Sequence, residues 1–200
     1  VTPSLTPVNI LKGWNWIGYT PLVNIGINEA LGKFRPAHGD LIKSQYAFAM
    51  YDERMGWIGT LEYLRPNQGY KMKYSAAGDL PDQQTLIYPE QGTSLKSALS
   101  SVEYPEFKNA TQYRYNMPLI AVVRDAEGNP VNGDYRLRVY NKEEPRGSTR
   151  AMTLEHAGSD HYFLMAFSNR EGEKLRFTLE DKKGRVYFVN ETLSSQFSSA

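Results

Sequence analysis

The sequence predicts a mainly β chain. It comprises a small β-rich module with one short helix, followed by an antiparallel β-sandwich whose candidate form is immunoglobulin-like. Three observations carry this. Short segments alternate large apolar and polar side chains at a period of two. Gly, Pro, Asn and Asp clusters punctuate them at short intervals. The second half has no apolar stripe at helical spacing.

The first module is expected over residues 9–80. Trp14-Asn15-Trp16-Ile17-Gly18-Tyr19 reads as a strand. Asn24 is placed to cap a helix through Leu31, with Gly32 as its stop and Ile27, Ala30, Leu31 and Phe34 on one face. Strands follow at residues 40–44 and 46–51, a turn at 52–56, and a returning strand at 57–63. Pro66 presets a turn over residues 65–69. Tyr70, Met72 and Tyr74 then alternate with Lys71 and Lys73, which predicts one buried and one exposed face.

Residues 81–112 are expected to be a linker, because Gly92, Pro81, Pro105 and Asp82 interrupt any pattern. A helical turn is expected at residues 94–99. The sandwich is expected over 113–197, with strands at 119–124, 135–140, 162–167, 175–179 and 186–189. Turns at 125–130, 158–160, 169–172 and 181–184 separate them. Residues 1–8, rich in Pro and Thr, read as a linker without the basic and apolar regions of a signal peptide. The chain is therefore expected to be a segment of a longer protein.

Composition narrows the partners. Lys+Arg total 23 against 22 Asp+Glu, so the net charge of +1 gives no electrostatic case for nucleic acid. There is no cysteine, which removes disulfides, thiolate zinc sites and a cysteine nucleophile. No apolar run reaches the roughly 18 residues of a bilayer span, so no membrane insertion by this segment is expected.

Four motifs in the first module resemble a repeat of surface-exposed and secreted proteins of Bacteroides-type bacteria. They are Gly13-Trp14-Asn15-Trp16-Ile17-Gly18-Tyr19, Gly39-Asp40-Leu41-Ile42-Lys43, Gly56-Trp57-Ile58-Gly59-Thr60-Leu61 and Pro66-Asn67-Gln68-Gly69-Tyr70. The second module is similar to a domain that often follows that repeat. Its marks are Met117-Pro118-Leu119-Ile120-Ala121-Val122-Val123, Arg146-Gly147, residues 162–167 and Glu171-Gly172-Glu173-Lys174-Leu175-Arg176-Phe177-Thr178-Leu179-Glu180-Asp181. The stretch 141–144 is more polar here than in the resembled module. The resemblance implies a non-catalytic binding or adhesion segment of a large extracellular or cell-surface protein, with a protein or glycan ligand. The alternative it leaves is a carbohydrate-binding module. It supplies no catalytic residue, metal or cofactor.

The residues themselves agree in giving no enzyme signature. Neither a Gly-x-Ser-x-Gly elbow nor a His-Glu-x-x-His motif is present. His156, Asp160 and His161 lie around one turn and offer three metal ligands at irregular spacing, against a plain polar hairpin tip. Glu143-Glu144 and Glu171-Gly172-Glu173 are carboxylates expected on exposed turns, without the burial that pKa tuning needs. Asp125-Ala126-Glu127-Gly128-Asn129 spaces oxygen ligands like a calcium loop but lacks the closing glutamate, so a β-turn is its other reading. Arg136 and Arg138 share one strand face beside Tyr140, suiting carboxylates or a solvated sheet face.

The aromatics of the first module are the candidate ligand-binding residues: Trp14, Trp16, Tyr19, Trp57, Tyr63 and Tyr70. Indole and phenol faces stack on the C–H faces of sugar rings, and Asn15, Asn67 and Gln68 are available for hydroxyls. The competing reading is core, since each buried Trp or Tyr removes a large apolar area from water. Alternation puts Trp14 and Trp16 on one face and Asn15 and Ile17 on the other.

Overall fold

The computed structural model describes residues 6–89, 110–155, 157–194 and 198–199. The expected helical turn at 94–99 lies outside them. The chain divides into two compact units, Val1–Ser101 and Val102–Ala200, and this boundary falls within the expected linker. The fold is mainly β throughout.

The first unit runs β1 (Val8–Leu11), β2 (Gly13–Gly18), β3 (Ile25–Gly26), the one-turn helix α1 (Ile27–Ala30), β4 (Leu41–Lys43), β5 (Phe48–Asp52), β6 (Gly56–Gly59), β7 (Tyr63–Leu64), β8 (Gly69–Tyr74) and β9 (Gln83–Leu86). Five of these form an antiparallel sheet in the order β2-β8-β4-β5-β6. Two small sheets, β1-β9 and β3-β7, accompany it.

The register explains the core. Ile17 sits opposite Tyr70, and Ile42 opposite both Met72 and Ala49. These side chains share the sheet face that holds the buried cluster, together with Tyr74 and Trp57. Ile10, Ile25, Leu31, Phe34, Leu64 and Leu86 complete it. Burying each Ile, Leu or Met contributes about 1.5–3 kcal/mol.

Three expectations shift. The helix expected over 24–31 shortens to Ile27–Ala30, because Ile25 and Gly26 pair with Leu64 and Tyr63. Gly26, at its N-cap, makes no side-chain capping bond. The strand expected over 57–63 breaks into β6 and β7. Gly59 has φ +147, and a Cβ there would collide with the Phe48 carbonyl, so only glycine lets the chain leave the main sheet at that point. Residues 83–86, expected within the linker, form β9 and pair with residues 8–11.

The second unit contains a 3-10 turn (Ala110–Gln112), β10 (Tyr115–Ala121), β11 (Tyr135–Asn141), β12 (Glu144–Arg150), β13 (Met152–Thr153), β14 (Asp160–Ser168), β15 (Lys174–Asp181), β16 (Val186–Ser194) and β17 (Ser198–Ser199). They form two four-stranded sheets, β13-β14-β10-β17 and β12-β11-β15-β16. The pairs β10–β14, β13–β14, β11–β15, β15–β16 and β11–β12 correspond to the B–E, D–E, C–F, F–G and C–C′ neighbours of an immunoglobulin-like sandwich. Leu137, Val139, Tyr162, Leu164, Ala166, Leu175 and Leu179 fill the space between the sheets.

Candidate ligand-binding face

The outer face of the five-stranded sheet is built by β2 and β8. Trp14 lies opposite Lys73, and Trp16 opposite Lys71. Since Ile17, Tyr70 and Met72 take the core face, alternation sends both indoles and both lysines outward. Trp14 is 44% exposed and Trp16 67%. The Lys71 ammonium lies 5.3 Å from the centroid of each indole, so one charge is held between two rings.

Lys43, opposite Lys71 on β4, brings its ammonium within 5.5 Å of the Trp14 ring. It is only 2% exposed. Burial, reinforced by the neighbouring Lys71 charge, pushes its pKa down to about 8. The face is thus open on its β2–β8 side and buried at Lys43 and Phe48 on its β4–β5 side.

The other candidate aromatics lie elsewhere. Tyr19 is in the core: its hydroxyl donates to the Val23 carbonyl at 2.9 Å and its ring meets Tyr88 edge-on at 5.0 Å. Tyr70 is also buried, accepting from the Arg65 N–H at 2.8 Å and donating to Gln68 Oε1 at 3.3 Å. Burial pushes the pKa of both phenols up. Trp57 is 5% exposed and packs edge-on against Tyr51 at 5.5 Å. These three rings belong to the core.

Tyr63 is 40% exposed on β7, which is not part of the sheet that carries the two indoles. It lines an open cleft of about 340 Å³ with Asn28, Glu29, Trp57 and Glu62. Tyr63 and the Trp14/Trp16 pair therefore belong to separate surfaces.

The polar groups expected beside the rings are mostly committed. The Asn15 amide accepts from the Leu11 N–H at 2.9 Å and donates to the carbonyls of Leu11 and Gly13. Gln68 serves Tyr70. Asn67 occupies a left-handed turn position at φ +59.

The remaining motifs of the second unit resolve into structural pairs. Asp160 is buried, and its carboxylate accepts from the Gly133 N–H at 2.7 Å and the Thr153 hydroxyl at 2.6 Å. Those bonds, Thr153 first, hold its pKa below the usual carboxylate range. His161 Nδ1 lies 3.0 Å from the Ser159 carbonyl, and His156 lies outside the described residues. Among the described residues no three His, Cys, Asp or Glu side chains are grouped to hold a metal ion. Asp125 accepts from the N–H groups of Glu127 and Asn129, which makes its loop a side-chain-closed turn. Glu143 pairs with Arg176, while Glu144 and Glu173 both pair with Arg146. Arg138 pairs with Glu180 across the sheet at 2.6 Å.

Lys71 and Lys73 are what the residue-by-residue reading missed as site residues. The signal was present: a strand alternating aromatic and lysine, paired with one alternating tryptophan and small residues.

No family model, curated protein or solved structure matches the chain. No helix among the described residues is long and apolar enough to cross a membrane.

Proposed function

We propose that this chain is a non-catalytic binding or adhesion segment of a larger extracellular bacterial protein, acting at the cell surface. Its contact surface is the Trp14/Trp16 face of the first unit. The observation that carries this reading is the pair of exposed indoles on one face of an edge strand, with lysines beside them. Large exposed aromatics rimmed by polar groups mark interaction surfaces, because leaving them in water has a cost that folding alone gives no reason to bear. The carbohydrate-binding alternative draws on the same pair, since adjacent indole faces are stacking surfaces for sugar rings.

The test is a panel of glycans and purified extracellular matrix and cell-surface proteins, probed with the folded chain and with Trp14→Ala/Trp16→Ala. A ligand held by the parent chain and lost by the double variant supports the reading. Ligands held equally by both would remove the face from the function.

A further inference from the structure

We infer that β16 is a self-association edge, along which two copies of this chain pair antiparallel and join their β12-β11-β15-β16 sheets into one.

The observation is an apolar run left in water at the end of a sheet. Among the described residues β16 pairs with β15 and closes that sheet on one side. Phe188 is 80% exposed, Val186 54% and Tyr187 44%. The register sorts them onto two faces. Tyr187 lies opposite the buried Leu179, and Val189 opposite Phe177, so this pair takes the core side. Val186 and Phe188, opposite Glu180 and Thr178, take the outer side. The strand is thus apolar on both faces, where a strand with one solvated face alternates apolar and polar residues.

Sheet edges are normally guarded against pairing with other chains. The opposite edge of this sheet is guarded: β12 opens with Glu144-Pro145-Arg146 and ends on Arg150, and its proline supplies no backbone donor. The β6 edge of the first unit is covered by the Asn28 amide. From Val186 to Asn190, β16 carries neither charge nor proline. The register shift opposite Arg176 and Phe177 ends the regular stretch, so the usable edge is Val186–Val189.

The occupant that fits this edge is a second copy. Antiparallel pairing centred on Tyr187 sets Val186 of one copy against Phe188 of the other on the outer face, and the two Tyr187 rings against each other on the inner face. A foreign strand would need matching apolar residues on both its faces, and a second copy has them. Such a contact uses the same patch twice and closes at a dimer. Charge does not oppose it. Arg185, the charge next to the run, is held by Asp181 at 2.7 Å. In this register the Arg185 residues of the two copies stand about 13 Å apart along the strands, beyond the screening length at ordinary salt. The contact is small. Taking a whole aromatic side chain at about 200 Å², the exposed parts of the three side chains total roughly 300 Å² per copy. A standard stable interface buries roughly 800 Å² per partner, so the dimer is weak and reversible.

The test is sedimentation velocity of the full chain from about 10 μM to about 1 mM, the range in which so small an interface associates. The weight-average mass should climb toward that of a dimer for the parent and for Trp14→Ala/Trp16→Ala. Phe188→Lys puts an edge-guarding charge at an exposed position and should stay monomeric, a loss of at least about tenfold in association. Hydrogen exchange, compared at the two ends of the range, should slow at Val186–Phe188 and not in β12. Thermal melts check that the variants fold, and if Phe188→Lys melts early, Val186→Lys on the same face replaces it. A parent that stays monomeric at about 1 mM would overturn the inference. So would a dimer that both lysine variants keep, one that Trp14→Ala/Trp16→Ala loses, or one whose protection appears away from β16.

Discussion

The side-chain amide of Asn28 grips the peptide groups of Trp57 from both sides. The Trp57 N–H donates to Asn28 Oδ1 at 2.7 Å, and Asn28 Nδ2 donates to the Trp57 carbonyl at 3.2 Å. β6 is the far edge of the five-stranded sheet, so this strand has no further strand to pair with there. A side chain from α1 does the work of that missing neighbour across 29 residues of sequence. It also seats Trp57 in the core.

Asn28→Ala should therefore destabilise the first unit by about 2–3 kcal/mol, since two backbone groups lose their partner. All 3 tryptophans lie in that unit, so tryptophan fluorescence during urea unfolding reports on it alone. Asn28→Asp keeps the acceptor and should lose less. A midpoint unchanged in Asn28→Ala would show that water replaces the amide without loss.

The tryptophans should separate into two classes. Trp57→Ala should cost about 3–5 kcal/mol, the range for removing a buried large aromatic, and would be unsuitable as a binding-site variant. Trp16→Ala should cost under about 1 kcal/mol, because the one cation–π contact it loses is at an exposed ring, and Trp14→Ala should cost more than Trp16→Ala, because it also uncovers the buried Lys43. Urea midpoints of the three single variants check this. A large loss for Trp16→Ala would make that indole a structural residue.

The same contrast shows what the sequence could reveal. Alternation placed Trp14 and Trp16 on one face, but β2 has an aromatic pair on one side and Ile17 on the other, so either side qualified as core. The decision lies in β8, where Tyr70, Met72 and Tyr74 alternate with Lys71 and Lys73, and in the register that sets Ile17 against Tyr70. Only the pairing joins the two patterns. β12 was invisible for a different reason. Residues 144–150 carry charged ends, Pro145 and Gly147, and almost no apolar side chain. β9, Gln-Gln-Thr-Leu, is equally polar. Both are strands because a neighbour uses their backbone, which periodicity does not register. The helix shortened because Ile25 and Gly26, expected within it, pair with β7.

Gly147 gives a test confined to the second unit. A Cβ at this position would fall well inside contact distance of the Met165 carbonyl oxygen and crowd Val139. β12 and β14 belong to opposite sheets, so the absent side chain is what lets their backbones meet. Gly147→Ala should cost about 1–3 kcal/mol or more through overpacking. Hydrogen exchange in β11, β14 and β15 should quicken while the tryptophan transition stays in place. Unchanged exchange would mean that the sheets separate without penalty.

The pH response should distinguish the two units. Lys43 has its pKa lowered to about 8 by burial and by Lys71, against about 10.5 when exposed. A folded-state pKa below the unfolded value means that the unfolded chain binds more protons in this window. Its contribution is fully present above about 10.5 and is lost as pH falls through about 8. In the first unit, stability should therefore rise from about pH 8 to about pH 10. Above that, Tyr19, Tyr70 and Tyr88 reverse the trend, because burial raises their pKa values and ionising them favours unfolding. The second unit has no buried lysine among its described residues. It has Tyr162, raised to about 12 by burial and by Asp160, whose contribution is intact below about 10 and lost as pH climbs through about 12. Urea midpoints followed by tryptophan fluorescence across this range should show the alkaline rise for the first unit, and Lys43→Met should flatten it. A rise that persists in Lys43→Met would assign the effect to another group.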